Sequence, residues 1–224
     1  MVKVIAFDVN ETLLDLSALD AAFEATFGSA ALRGQWFAQM LQLSFVGGLT
    51  HRYVDFGTAQ RAAFTMLVER QKVDVNPAAA DVVVAAMSTL PPHPEVRAAL
   101  RRLGASTLRV VALTNSSENV AVAQVTNAGL LDCFDAVLSA DTVRALKPSP
   151  EPYLHVASTQ GVPVTDVRLV AAHPWDISGA LAAGCRAAFV ARPGAVLSPL
   201  GDQPDIVGAD LTEVVDRILA VDTA

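Results

Sequence analysis

Cysteine is scarce. Only Cys133 and Cys185 occur in 224 residues, far apart, without CxxC spacing and in apolar surroundings, so the chain predicts neither a disulfide framework nor a thiolate metal site. Basic charge is also short, with 16 scattered Lys and Arg against 23 Asp and Glu and a formal net charge of -7. Without a basic cluster there is nothing to hold a phosphate backbone, which argues against nucleic acid as a partner. Long hydrophobic runs are missing too, although 52% of the residues are hydrophobic and mean hydropathy is +0.40. No stretch nears the roughly 18 to 20 uninterrupted apolar residues of a membrane span; Ala and Val carry the excess. The N-terminus runs straight into a strand pattern containing Lys3, with no basic segment, apolar stretch and small-residue cleavage site in succession. A soluble cytoplasmic protein without a membrane partner is expected.

What is present is alternation. Short β-branched runs at 2–7, 108–114, 136–139, 167–172 and 187–191 alternate with helical periods at about 118–128, 151–160, 176–184 and 211–220, the pattern of a parallel sheet covered on both faces. From residue 93 the order reads βαβαβαβα. Between 16 and 92 the rhythm breaks: Leu41, Phe45 and Leu49, or Ala63 and Leu67, recur at helical spacing with no strand-like run among them. The prolines of LPPHPEV then mark a stiff exit. The expectation is a doubly wound, Rossmann-like α/β core from 1–15 and 93–224, interrupted by an all-helical cap subdomain at 16–92.

In open parallel sheets ligands bind beyond the carboxyl ends of the strands, where loops and helix N-termini converge. That rule turns the strand ends into candidates: Asp8 after the first strand, Thr114 and Asn115 after the second, Lys147 after the third, His173 and Asp176 after the fourth. Each has an ordinary reading as well. Asp8 suits a turn, Thr114 an N-cap, Lys147 a solvated surface, and HPWD a helix start with Pro174 in its first turn and Asp176 toward the positive dipole end. Their convergence is what favours chemistry, because a carboxylate held ionised by a nearby ammonium is a nucleophile.

The ensemble FDxNxTL, LTNS, LKPSPEPY and VAAHPWD, in this order and each at a strand end, resembles the haloacid dehalogenase superfamily along the whole chain. The resemblance implies a doubly wound core, a helical cap inserted after strand one, and an aspartate nucleophile, Asp8. Phosphatases of that superfamily carry DxD and GDS motifs. Here Asn10 stands at their general-acid position and Ala172 at a metal-ligand position. A carboxamide is no proton donor of useful pKa and a methyl group gives Mg²⁺ no oxygen, so the similarity points to the metal-independent, cofactor-free 2-haloacid dehalogenase branch.

What that branch implies is a hydrolase of carbon–halide bonds whose partners are a small 2-haloacid and water. Asp8 would attack C2, Lys147 would stabilise its charge, and Thr12 and Thr114 would orient the substrate carboxylate. Arg33, or less well Arg52, would cradle the halide with Asn115, beside Asn10 and Trp175. Water would then cleave the ester with Asp176 as base, directly or through His173. Trp36, Phe37, Leu41, Phe45 or Phe56 would supply an apolar pocket wall, most of them serving only as cap core. A homodimer is expected from the Ala- and Val-rich helices. Asn10 and Glu11 replace the branch's usual Tyr and Gly, and Glu11 must manage without glycine's conformational freedom. Two rivals use the same scaffold: a phosphatase with other acid and metal ligands, and a silent binding protein.

Overall fold

The computed structural model describes residues 1–76 and 78–223. Its strands, β1 (Val4–Phe7), β2 (Arg109–Thr114), β3 (Ala136–Ser139), β4 (Val167–Ala171), β5 (Arg186–Val190) and β6 (Ile206–Gly208), form one sheet in the order β3-β2-β1-β4-β5-β6. Every pairing is parallel. β1, β2 and β4 are largely apolar and nearly all buried because helices cover both faces. Phe7 pairs in register with Ala112 on one side and Val170 on the other, so the residues following β1, β2 and β4 emerge together at one edge. The winding direction reverses beside β1, which makes that edge the crevice of the fold.

Between β1 and β2 the chain builds α1 (Asp20–Phe27), α2 (Leu32–Leu49), α3 (Phe56–Gln71) and α4 (Ala79–Ala86); among the described residues this segment contains no strand. Its interior is aromatic: Phe23 lies 5.4 Å from Trp36 and 6.4 Å from Phe64 between ring centroids. The Trp36 indole donates to the Gln60 carbonyl at 3.0 Å. Trp36 is thus packing for the helical segment, and the apolar spacing that suggested helices is what fills this core.

The remaining helices are α5 (Val96–Gly104), α6 (Glu118–Asn127), α7 (Pro150–Gln160), α8 (Pro174–Ala182) and α9 (Leu211–Asp222). Two elements depart from the order expected after residue 93. α5 precedes β2, burying Val96, Ala99, Leu100 and Leu103 while Arg97, Arg101 and Arg102 point outward; the prolines before it start a helix as well as end one. β6 adds a short edge strand whose three residues carry little pattern. Strand ends also shift by one or two residues, with Lys3 outside β1, Ala172 outside β4, and β5 beginning at Arg186.

One fully buried guanidinium ties the far end of the sheet. Arg168 of β4 donates to Asp222 at 2.7 and 3.1 Å, to the Ala187 carbonyl at 3.0 Å, and to Asp205. The Asp205 carboxyl lies below its ordinary value: burial would raise it, but hydrogen bonds and charge from Arg168 prevail. The last helix and last strand are therefore pinned to the sheet by a bidentate cation.

Candidate active site

The sheet edge assembles a closed polar knot. Asp8 leaves β1 with its N–H on the Val170 carbonyl at 3.0 Å, and its carboxylate turns into the crevice. Oδ1 accepts from Lys147 Nζ at 2.8 Å and Oδ2 from Thr12 Oγ1 at 2.7 Å. Thr12 Oγ1 in turn accepts the Ala172 N–H at 2.9 Å. The Lys147 ammonium also donates to Asp176 Oδ2 at 2.6 Å and to the Leu113 carbonyl at 3.1 Å. Its three protons are all committed.

Lys147 cannot drift, because Asn115 grips its backbone. The Asn115 Oδ1 accepts the Lys147 N–H at 2.8 Å, and Nδ2 donates to the Lys147 carbonyl at 3.2 Å. Asp176, in the first turn of α8, has its second oxygen taken by the Tyr153 hydroxyl at 2.6 Å. Burial and the Asp176 charge raise the Tyr153 phenol well above its ordinary value, so it stays a donor.

Two carboxylates share one sealed ammonium, and they respond differently. Burial would raise Asp8, but the charges of Lys147 and His173 and the hydrogen bonds from Lys147 and Thr12 outweigh it and hold the carboxyl below its ordinary value. Asp176 is raised, because burial and repulsion from Asp8 prevail over Lys147 and Tyr153. For Lys147, burial is overcome by the two carboxylates and its value rises. Asp8 is thus an ionised nucleophile; Asp176, with both oxygens engaged, holds Lys147 and is poorly placed as a base.

His173 is different. Its Nε2 lies 3.1 Å from the Asn10 carbonyl and 3.7 Å from Asp8 Oδ2, and its Nδ1 lies 3.6 Å from Glu11 Oε2. The ring is stacked between Phe37, at 5.6 Å, and Trp175, at 5.1 Å, which fixes its plane. Glu11 reaches it from a left-handed backbone, φ 61, with its carbonyl 3.0 Å from His93 Nε2. A strained non-glycine residue here is held in place by its neighbours.

Other expected residues are distributed unlike the sequence reading. Arg33 donates to Asp20 at 2.5 Å and lies 3.7 Å from Glu11, lining a cleft of about 710 Å³ with Glu11, His93, His173 and Arg192. Asn115 lies buried behind Lys147. The structure therefore does not bring Arg33 and Asn115 to one halide cradle, since each is committed elsewhere. Arg52 is exposed, Thr114 Oγ1 accepts the Ser116 N–H at 3.2 Å, and Leu41 and Phe56 belong to the hydrophobic core. Phe37 and Phe45 do reach the site, Phe45 lying 5.6 Å from Trp175.

Two contacts lie outside the sequence expectation: the Tyr153 hydroxyl on Asp176, from within the LKPSPEPY motif, and the Glu11 carboxylate facing His173. For Glu11 and His173 the sequence carries a joint signal, an acidic residue in a glycine position and a histidine at the matching turn. The donor set does not suit a divalent cation, because an ammonium already bridges both carboxylates and Ala171 and Ala172 add no oxygen. Among the described residues no group of three or more His, Cys, Asp or Glu is arranged to hold a metal.

A family model described as haloacid dehalogenase-like hydrolase matches residues 2–184. The chain is 31% identical over 197 residues to the (S)-2-haloacid dehalogenase of Xanthobacter autotrophicus, covering 86% of this chain and 76% of that protein. It is 29% identical over 219 residues to haloacetate dehalogenase H-2 of Moraxella sp., 97% and 98% covered. The solved structure of the Xanthobacter autotrophicus L-2-haloacid dehalogenase with chloropropionic acid covalently bound superposes with a TM-score of 0.91, at 26% identity and with 99% of each chain covered.

Proposed function

This chain belongs to the haloacid dehalogenase-like hydrolases, and from that premise we propose that it hydrolyses carbon–halide bonds, converting short 2-haloalkanoic acids to 2-hydroxy acids through an ester on Asp8. The observation that carries the reading is the Asp8 carboxylate, held ionised by Lys147 and Thr12 at 2.8 and 2.7 Å with His173 Nε2 3.7 Å from the same group. One oxygen of Asp8 attacks C2 from behind; the carbon–halogen bond breaks and its electron pair leaves with the halide. No proton is needed for that departure, which suits a site whose former acid position is Asn10. Displacement inverts C2.

In the second step a water enters between the ring and the ester, displacing Nε2 from the Asn10 carbonyl. As it leaves, Nε2 passes the proton it had donated there to solvent while Nδ1, facing Glu11, takes one up, so the ring's single proton lies on that side; Nε2 then takes a proton from the attacking water as its oxygen adds to the Asp8 carbonyl carbon. The tetrahedral adduct collapses, the released alkoxide recovers a proton from Nε2, and the acid form of Asp8 loses its proton to solvent. His173 replaces Asp176 as the base in this scheme, because both Asp176 oxygens already accept hydrogen bonds.

The test is halide release from L-2-chloropropionate and fluoroacetate with EDTA present. Wild type should release halide and Asp8→Asn should not; release undiminished in that variant overturns the proposal. The phosphatase alternative would instead show EDTA-sensitive release of phosphate from p-nitrophenyl phosphate.

The same proposal includes residues 16–92 as a cap over the site, supported by their helical build, and a homodimer in the cytoplasm. Support for the dimer is Val46 and Leu49 exposed on α2, and size-exclusion chromatography with light scattering checks it. The net charge of -7 speaks against a nucleic-acid partner.

A further inference from the structure

Gln124 has no place in the scheme above, yet it is fully buried and touches the catalytic loop. It projects from α6, and its Nε2 donates at 2.9 Å to the Met87 carbonyl, where the helical segment returns to the core, and at 2.8 Å to Asn10 Oδ1. The Met87 carbonyl can only accept. It therefore fixes which end of the Gln124 carboxamide faces it, and the two Nε2 protons are spent on Met87 and Asn10. Asn10 must present oxygen to Gln124, which turns its Nδ2 away.

That Nδ2 makes no hydrogen bond to any described residue. Nor is it sealed, since the buried side-chain polar atoms left without a partner among the described residues are Gln124 Oε1 and Trp175 Nε1. Asn10 is held at its other end too, by the His173 ring on its carbonyl at 3.1 Å. It stands two residues from the nucleophile with one neutral donor uncommitted and its orientation set from behind. The guanidinium of Arg33 is occupied by Asp20 and Glu11, so it does not compete for an anion at this place.

We propose that Gln124 is a positioning residue for substrate binding, locking the Asn10 carboxamide so that its N–H donates to the carboxylate of the haloacid. This rests on the dehalogenase reading and names the group that grips the anionic end of the substrate. A fixed neutral donor next to Asp8 orients the acid without adding a second cation that would pull on the nucleophile. Because Met87 closes the chain of hydrogen bonds, the seat of the helical segment sets the orientation of Asn10.

The experiment is a double-mutant cycle on halide release from L-2-chloropropionate, with Gln124→Met, Asn10→Ala and the pair. Gln124→Met should raise KM about tenfold, the scale of one hydrogen bond to a charged group, while kcat changes less than threefold. In the Asn10→Ala background the same substitution should leave KM unchanged. Propionate should lose competitive affinity by the same factor in Gln124→Met, a readout independent of turnover. Gln124→Leu, which likewise offers no N–H to Asn10, should reproduce the KM effect and serves if the Met variant folds poorly. Equal losses in kcat and KM that persist without the Asn10 side chain would overturn the proposal, as would an unchanged propionate affinity. Wild type failing to release halide would instead overturn the dehalogenase reading.

Discussion

Replacing Glu11 by glycine separates the two halves of the proposed reaction. Glu11 has φ 61, where an L side chain costs on the order of 1 to 2 kcal/mol that glycine does not. Glycine returns roughly 0.5 to 1 kcal/mol of that through the greater freedom of the unfolded chain. The contact with His93 is made by the Glu11 carbonyl and survives. The Glu11 carboxylate is about a third exposed and lies 3.6 and 3.7 Å from His173 and Arg33, and pairs of that kind contribute at most about 1 kcal/mol. The sum predicts a stability change within about 1 kcal/mol, or roughly 2 to 4 °C in Tm.

Activity should behave otherwise. Ester formation needs Asp8, Lys147 and a departing halide, none of which Glu11 touches. Hydrolysis needs His173 oriented, and its loss costs about 10²-fold, the low end for a general base. Rapid-quench measurement should therefore show a burst of one halide per site followed by slow turnover. Mass spectrometry of Glu11→Gly should find the ester on the peptide containing Asp8. Unchanged turnover without an accumulated ester refutes the His173–Glu11 assignment; loss of the burst itself would mean that Glu11 serves the first step.

Other outcomes follow from the same geometry. Lys147→Met leaves two sealed carboxylates unpaired and should cost about 3 to 5 kcal/mol in urea unfolding, part of it recovered by adding Asp176→Asn. Gly179→Ala would place a methyl 2.6 Å from the Tyr153 hydroxyl and from Pro148 Cβ; overpacking of about 1 to 3 kcal/mol and displacement of Tyr153 from Asp176 should lower both Tm and kcat. Asp8 is depressed relative to the unfolded chain, so its stabilising effect is complete above the unfolded carboxyl value and disappears as pH falls through the folded one. Urea midpoints of wild type below pH 4 should fall more steeply than those of Asp8→Asn, and equal slopes would contradict the assignment.

How much of this was legible in the sequence differs by level. The strand ends were readable because an apolar run that stops at a polar residue is local information, and Asp8, Lys147, His173 and Asp176 do meet. α5 was hidden by reading Pro91, Pro92 and Pro94 only as a hinge, although Val96, Leu100 and Leu103 carry a helical period. β6 offered three residues and no alternation. At the site, residue types were visible and commitments were not. Nothing in LRGQWF says that Arg33 is neutralised by Asp20 and Glu11, and nothing in LTNS says that Asn115 spends its amide on a lysine backbone. Such partners come from other elements, and only the folded chain chooses among them. The Asn10–Gln124 pair, 114 residues apart, is invisible for the same reason.

The pin at Arg168 bears on how the molecule is made. Its guanidinium lies in the fourth of six strands, while its carboxylate partners, Asp205 and Asp222, arrive 37 and 54 residues later. During synthesis β4 can align with β1 well before then, but burying an unpaired guanidinium is prohibitive. Closing this side of the sheet before Asp205 arrives would cost about 3 to 5 kcal/mol. A chain arrested before Asp205 already holds Asp8, Thr12, Lys147, Tyr153 and Asp176, so what it lacks is the lock at the opposite end of the sheet rather than any member of the polar knot.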